Sequence, residues 1–442
     1  MDALRGVLGL VLLLAVAVLA SRDRRGIRWR TVGVALAVQV VFAFLVLRTR
    51  PGQAVLNFLS RQVETLIGFT QTGTDFVFGP LAKVGAPGGV AFALQVLPVI
   101  IFLGALIYLL LYLRVIQYAT HYVGGAIGRL LRVSKVESMY AAVVVFLGMS
   151  EAPLLISPYL RRLTASQMFT VVTAGLTAAS GSTLIGYALL GAPLPYLLAA
   201  TVMNAPAALV MAKIMWPDSV REPVEVAESD DRTAGADAAR QVDDRSDDRA
   251  ATKVPPADDD FDVREVRDTE SANVIDALAR GALAGGRVAV AVGCLLIAFV
   301  ALIALLNGII GGVAGLFGAQ GVTFQQLLGY VMAPVAWLLG VPWSESVQAG
   351  QFIGIKTVLN EFVAYGEFGP QVGSLSPVTV VVVSFALAGF ANFGSIAIAI
   401  GALGSLRAQV RGFVARVGVR ALLAATLANL ANAAIAGLVF AR

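Results

Sequence analysis

The chain has 442 residues, of which 58% are hydrophobic and only 14% charged, whereas a soluble domain carries about a quarter charged; water is not its main solvent. The formal net charge of +5 would suit nucleic acid if the basic residues formed one soluble face. They lie instead in short loops between apolar runs, which excludes that partner and makes them a signal of membrane topology.

Taken in chain order, the runs Leu4 to Ala20, Val32 to Leu47, Val96 to Tyr112, Val288 to Leu306 and Ala421 to Phe440 approach the ~20 apolar residues that cross ~30 Å of hydrocarbon. About eight spans are expected in all. The first run lacks a basic leader and a small-residue cleavage site, so it reads as a retained helix and not a signal peptide. Glu64 and Asp75, in RQVETLIGFTQTGTDF, belong to an amphipathic interfacial segment with no substrate role. His121, in QYATHYVGG, reads as a helix-end residue; a proton shuttle is the alternative. Cys294 is the single cysteine, which rules out an intramolecular disulfide.

Four basic clusters orient the chain. Arg22, Arg24, Arg25, Arg28 and Arg30 come first, then Arg129, Arg132 and Lys135, then Arg161 and Arg162, and last Arg407, Arg411, Arg416 and Arg420. Placing all of them in the cytoplasm puts both termini outside and requires an even number of crossings. Pro217 to Ser271, with DDRSDDRA and ADDDFD, has almost no large apolar residues and is expected to be a disordered cytoplasmic loop.

Val136 to Leu160 and Ser344 to Gly369 are too polar and too broken for lipid-facing spans. Each holds a helix-interrupting string with a carboxylate, GMSEAP at Gly148 to Pro153 and LNEF at Leu359 to Phe362. Backbone that leaves the helix at membrane depth must be buried or line a cavity, so two re-entrant helical hairpins are expected. Each precedes a Gly/Ser/Asn-rich span, Ala174 to Leu190 and Val378 to Ile400, and then a closing helix. The duplicated order reads as an internal repeat, and the charge clusters make the repeats inverted, an architecture that holds substrate near the midplane. The fold class is therefore an all-α polytopic membrane protein. Its expected units are N-terminal helices over 1–90, a scaffold helix and linker over 91–134, a first repeat over 135–216, the acidic loop over 217–271, a scaffold and interfacial helix over 272–342, and a second repeat over 343–442.

Glu151 and Glu361 are the informative residues, because a carboxylate at membrane depth is costly and faces a cavity, an ion path or a partner. The structural alternative is a salt bridge, with Lys356 as the partner of Glu361. Asn392 and Ser395, three residues apart, would share one helical face. Asn360, Glu361, Asn392 and Ser395 together offer the donors and acceptors that a hydroxyl-rich substrate such as a ribose needs, and Phe390 adds an aromatic surface.

GMSEAPLLISPYL from Gly148, NEFVAY from Asn360 and GFANFGSIAIAIG from Gly389, in this order, resemble the concentrative nucleoside transporters across nearly the whole chain. The resemblance implies an elevator-type homotrimer in the cell inner membrane that imports nucleosides by cation symport. It also implies that Gly148, Met149, Ser150, Glu151 and Thr183 face the nucleobase, and that Glu361, Asn392 and Ser395 hold the ribose with Phe390 beside them.

Two departures bear on selectivity. Many members of the family have Gln where this chain has Met149; a thioether can pack on a larger ring but cannot pair with a pyrimidine edge, so purine nucleosides are favoured. The sodium-coupled pattern has Asn and Ser side chains where this chain has Val144 and Ala178. A hard cation wants oxygen ligands, so proton coupling through Glu151 or Glu361 is expected, and the alternative is a sodium-coupled carrier of pyrimidine or broad selectivity.

An enzyme is not expected, since no Cys/His grouping, HExxH or GxSxG occurs, and the lack of GxxxxGK[ST] speaks against an ATP-driven pump. No cofactor is expected. A solute channel is the competing class; two carboxylate-bearing hairpins facing broken helices describe an occluded solute site better than a filter.

Overall fold

A computed structural model describes residues 2–83, 92–160, 162–220, 262–268, 270–319 and 321–440. Residues 221–261 lie outside these, and with them most of the expected acidic loop. Every longer element described is a helix: α1 (Asp2–Leu19), α2 (Trp29–Arg48), α3 (Arg50–Phe78), α4 (Phe92–Gln95), α5 (Leu97–Tyr112), α6 (Val115–Leu131), α7 (Lys135–Ile156), α8 (Ala165–Thr177), α9 (Gly181–Leu189), α10 (Leu194–Met215), α11 (Val274–Leu316), α12 (Phe324–Leu338), α13 (Trp343–Val358), α14 (Glu361–Phe368), α15 (Pro377–Leu387), α16 (Phe393–Leu406) and α17 (Ala408–Phe440). Helices satisfy their own backbone polar groups, which lipid cannot do.

Among the described residues, seven helical stretches are long and apolar enough to cross a membrane, or eight if α12 and α13, bent by 117°, count as one. α1 is apolar but shorter. α3 is amphipathic and buries only Leu56, Ser60, Thr70 and Thr74, in keeping with an interfacial role for the stretch that carries Glu64 and Asp75.

Two inverted repeats form the interior. In the first, α7 is split at Gly148 (φ 79°, ψ 175°) into the arms of a re-entrant hairpin, α8 and α9 make a span broken at 178–180, and α10 closes the unit. In the second, α13 and α14 are the hairpin arms, α15 and α16 are the span broken at 388–392, and α17 closes it. The Phe352 and Phe368 rings, one on each arm of the second hairpin, meet edge-on at 5.4 Å. Capping sets these ends: Ser134 and Glu137 form a capping box at α7, and Thr164 and Gln167 form another at α8, each satisfying otherwise orphaned N–H groups.

The α8–α9 span and α10 are each 89% buried across their apolar windows, against 22% for the α4–α5 span and 11% for α11. α5 and α11 therefore stand at the periphery and pack on each other. A Cβ at Gly281 would lie 2.5 Å from the Gly104 carbonyl oxygen, so only glycine permits this backbone approach, a device common where helices meet in lipid.

The two ends of the acidic segment are part of the packed fold, contrary to the expectation of disorder over the whole of 217–271. Asp218 pairs with Lys213, which also lies 2.5 Å from Glu137 of the α7 capping box. At the other end Val263 is buried in the core, and Gln117 Nε2 of α6 donates to the Val266 carbonyl at 3.2 Å. Lys213 sits in the last turn of α10 and Val263 beside α6, so burial of one ion cluster and one apolar side chain fixes what composition alone assigns to solvent.

Candidate functional site

The helix breaks place the polar side chains. A residue at the start of a helix has non-helical backbone and offers its side-chain oxygen to an N–H of the first turn. Ser180, Asn360 and Asn392 occupy this position at α9, α14 and α16. The Asn360 oxygen accepts from Val363 N at 2.9 Å and the Asn392 oxygen from Ser395 N at 2.9 Å. Asn392 and Ser395 thus meet through a cap, and not on a continuous helical face as their spacing predicts, because the backbone is extended at Asn392.

Glu361 opens α14 and is buried, with 4% of its surface exposed. Asn392 Nδ2 donates to one carboxylate oxygen at 2.9 Å, and the Tyr187 hydroxyl donates to the other at 3.1 Å. Three elements, α9, α14 and α16, therefore converge on one carboxylate, and two of them belong to the second repeat and one to the first. Tyr187 is itself held by Tyr365, stacked at 4.5 Å, and by Phe362 edge-on at 4.8 Å. Lys356 does not pair with Glu361 among the described residues. Its Nζ donates to Asn429 Oδ1 at 3.0 Å and to the Ala386 carbonyl at 3.4 Å, because the break after α15 leaves carbonyls that a buried ammonium can satisfy.

The tip of the first hairpin lies against the start of α9. A Cβ at Gly148 would come within 2.7 Å of Ser180 Cβ, and its φ is positive, so both space and backbone require glycine. Ser180 Oγ lies 3.1 Å from Thr183 Oγ1, and Thr183 is one turn before Tyr187 on α9. Glu151 is half-buried and, unlike Glu361, has no hydrogen-bond donor on its carboxylate among the described side chains. Met149 is buried next to Gly175, whereas Ser150 is exposed and Phe390 half-buried. Val144 and Ala178 are buried, and the Ala178 carbonyl accepts from Phe390 N at 3.0 Å.

The two broken spans are tied together where they cross. Asn204 of α10 donates to the Ala388 carbonyl at 2.6 Å, and Asn429 of α17 donates to the Thr177 carbonyl at 3.0 Å. Each closing helix caps the break of the other repeat, and Asn204 Oδ1 accepts from both Asn429 and Asn432. Tyr187 and this asparagine cluster are absent from the residues picked out by sequence. Polar residues in the apolar stretches TVMNAP and LANLANAA were the available signal for the asparagines; nothing local marks Tyr187, whose partner is 174 positions away.

His121 lies within α6, not at a helix end, because α5 stops at Tyr112 and a new helix begins at Val115. Its Nδ1 is 3.7 Å from Asp262 Oδ1. The Arg264 guanidinium, hydrogen-bonded to the same carboxylate, pulls Asp262 down to about 2.

Comparison with known proteins gives the same outline. The family models for the C-terminus and N-terminus of Na+ dependent nucleoside transporters match residues 196–437 and 8–81, and one described as nucleoside recognition matches 93–194. The uncharacterized transporter YutK of Bacillus subtilis is 47% identical over 99% of this chain and all of its own. The putative nucleoside permease NupX of Escherichia coli is 38% identical over 99% of each chain. The solved structure of CNTnw in an inward-facing substrate-bound state aligns with TM-score 0.86 and 41% identity, covering 100% of this chain and 98% of that one.

Proposed function

The chain belongs to the concentrative nucleoside transporter family, and from that premise we propose that it imports purine nucleosides by proton symport, with the ribose held by Glu361, Asn392 and Ser395. The observation that carries the site is the carboxylate of Glu361, gripped by Asn392 and Tyr187 from opposite repeats. Its oxygens are aimed by donors on separate elements, so a ribose hydroxyl meets a preorganised acceptor. Asn360 acts by capping α14 and so sets the position of Glu361. Gly148, Met149, Ser150, Glu151 and Thr183, grouped by the contact of the first hairpin tip with α9, form the base side, and Phe390 flanks the sugar.

Proton coupling rests on the side chains at 144 and 178. Valine and alanine there supply no oxygen, and the Ala178 carbonyl already accepts from Phe390 N. Glu151 is the better of the two candidate proton carriers, because two donor hydrogens already face the Glu361 oxygens whereas the Glu151 oxygens are uncommitted among the described side chains. Sodium coupling is the second reading, and the description of the matched family models as Na+ dependent favours it.

A homotrimer is the assembly that the family resemblance implies, and the sparsely buried α5 and α11 offer apolar surface for it. Residence in the inner membrane with both termini outside rests on the arginine clusters. The test is uptake of radiolabelled adenosine and uridine into proteoliposomes under a proton gradient or a sodium gradient imposed separately. Accumulation driven by protons with adenosine preferred supports the proposal, accumulation driven by sodium alone replaces its coupling half, and equilibration without accumulation indicates a channel.

A further inference from the structure

A cavity of about 1440 Å³ opens where the end of α1, the end of α10 and the first half of α17 meet. One rim carries Arg22, Arg416 and Arg420, from two of the four clusters that the topology assigns to the cytoplasm. The guanidinium carbons of Arg22 and Arg420 lie 4.5 and 5.9 Å from the centre of the same indole, that of Trp216. The ring is a rigid platform: Trp216 is 2% exposed and stacks on Phe169 at 5.2 Å. Arg22 is fixed through its backbone, whose N–H donates to the Met215 carbonyl at 3.0 Å, and its neighbour Ser21 donates through Oγ to the Ile214 carbonyl at 2.6 Å. Arg416 stands one helical turn before Arg420, so both point to one side of α17.

The rest of the cavity has the opposite character. Val419, Leu423 and Phe393 line it and are 66%, 38% and 55% exposed, an apolar wall that leads from the arginines toward the membrane interior. A cationic rim over an apolar wall matches an amphiphile with an anionic head and hydrocarbon chains, and does not match a soluble anion, which gains nothing from the wall. Positive charge required by topology alone could be spread along the loops; here it converges on one aromatic ring.

We propose that this cavity binds an anionic glycerophospholipid of the cytoplasmic leaflet. Its phosphate sits between Arg22, Arg416 and Arg420, and an acyl chain lies along Val419, Leu423 and Phe393. Basic pockets between helices on this side of a membrane recognise such headgroups. Phe393 follows the candidate ribose ligand Asn392 directly, so the bound chain touches the element that carries the substrate site.

The test is native mass spectrometry of the full chain purified from mixed micelles of phosphatidylglycerol and phosphatidylcholine. The wild type should retain phosphatidylglycerol selectively, and R416Q and R420Q should each reduce that retention about fivefold. Arg411→Gln, the same charge change on α17 outside the cavity, should leave it unchanged. Val419→Glu, at a side chain already exposed, puts a carboxylate on the apolar wall where the acyl chain lies, without removing a guanidinium, and should also reduce retention. Equal retention of the two lipids, or equal losses in R411Q and R420Q, overturns the proposal. So does displacement by free glycerol 3-phosphate, which would make the site one for a soluble anion.

Discussion

The two hairpin tips place a glutamate beside a helix break, and the structure holds them differently. Glu361, in the second, is buried and takes one hydrogen bond on each oxygen, from Asn392 and from Tyr187. Glu151, in the first, is half-buried and takes none among the described side chains. Inverted repeats thus need not be equivalent sites: one carboxylate is held by two donors, and the other takes none among the described side chains, the difference on which the proposed division of roles rests. The asymmetry has two sources: Asn392 of the same repeat, and Tyr187, which reaches from the first repeat to the glutamate of the second.

That contrast is sharpest in Glu361→Gln. An amide would keep the shape but present an NH2 to one of the two donors, leaving a buried donor unsatisfied at a cost of about 1–3 kcal/mol, more when the lost acceptor was charged. Saturable nucleoside binding, followed by calorimetry, should fall by roughly 100-fold or more, on the scale of 1.4 kcal/mol per tenfold. Gly148→Ala is expected next. It forces a side chain into positive φ and to within 2.7 Å of Ser180 Cβ, a strain of about 1–3 kcal/mol, and should lower both the melting temperature and the uptake rate.

Glu151→Gln separates the two carboxylates by role. Under the proposed proton symport, uptake by the wild type should rise as the outer solution is acidified; the variant should exchange nucleoside across the bilayer but lose both accumulation and pH dependence. Equal damage to binding in E151Q and E361Q would erase the distinction. Tyr187→Phe removes a single donor from Glu361, about 0.5–1.5 kcal/mol, and should raise KM for uptake by up to about tenfold while leaving base preference alone. The smallest effect is expected from Met149→Gln, a shift of a few-fold from adenosine toward uridine in competition uptake; an unchanged ratio would remove Met149 from the base side.

Much of the fold was legible before any coordinates. The interruptions at GMSEAP and LNEF mark the hairpins, and the Gly/Ser/Asn-rich stretches after them mark the broken spans. Apolar length, helix-breaking strings and caps are local properties, and lipid makes them decisive because it leaves no other way to satisfy the backbone. Local reading also went astray locally: Asn392 and Ser395 appear to share a helical face, but the helix begins between them.

The amino-acid sequence by itself determined that this is a multi-pass helical protein, which carboxylates lie at membrane depth, and which family it resembles. Tertiary structure alone decided what those carboxylates touch. Lys356 turned to Asn429 and not to Glu361, Asn204 and Asn429 each capped the other repeat's break, and Tyr187 came to Glu361 across 174 positions of chain. Spacing along a helix constrains neighbours within a turn or two, whereas a buried donor is satisfied by whichever acceptor the packing of distant elements brings within about 3 Å.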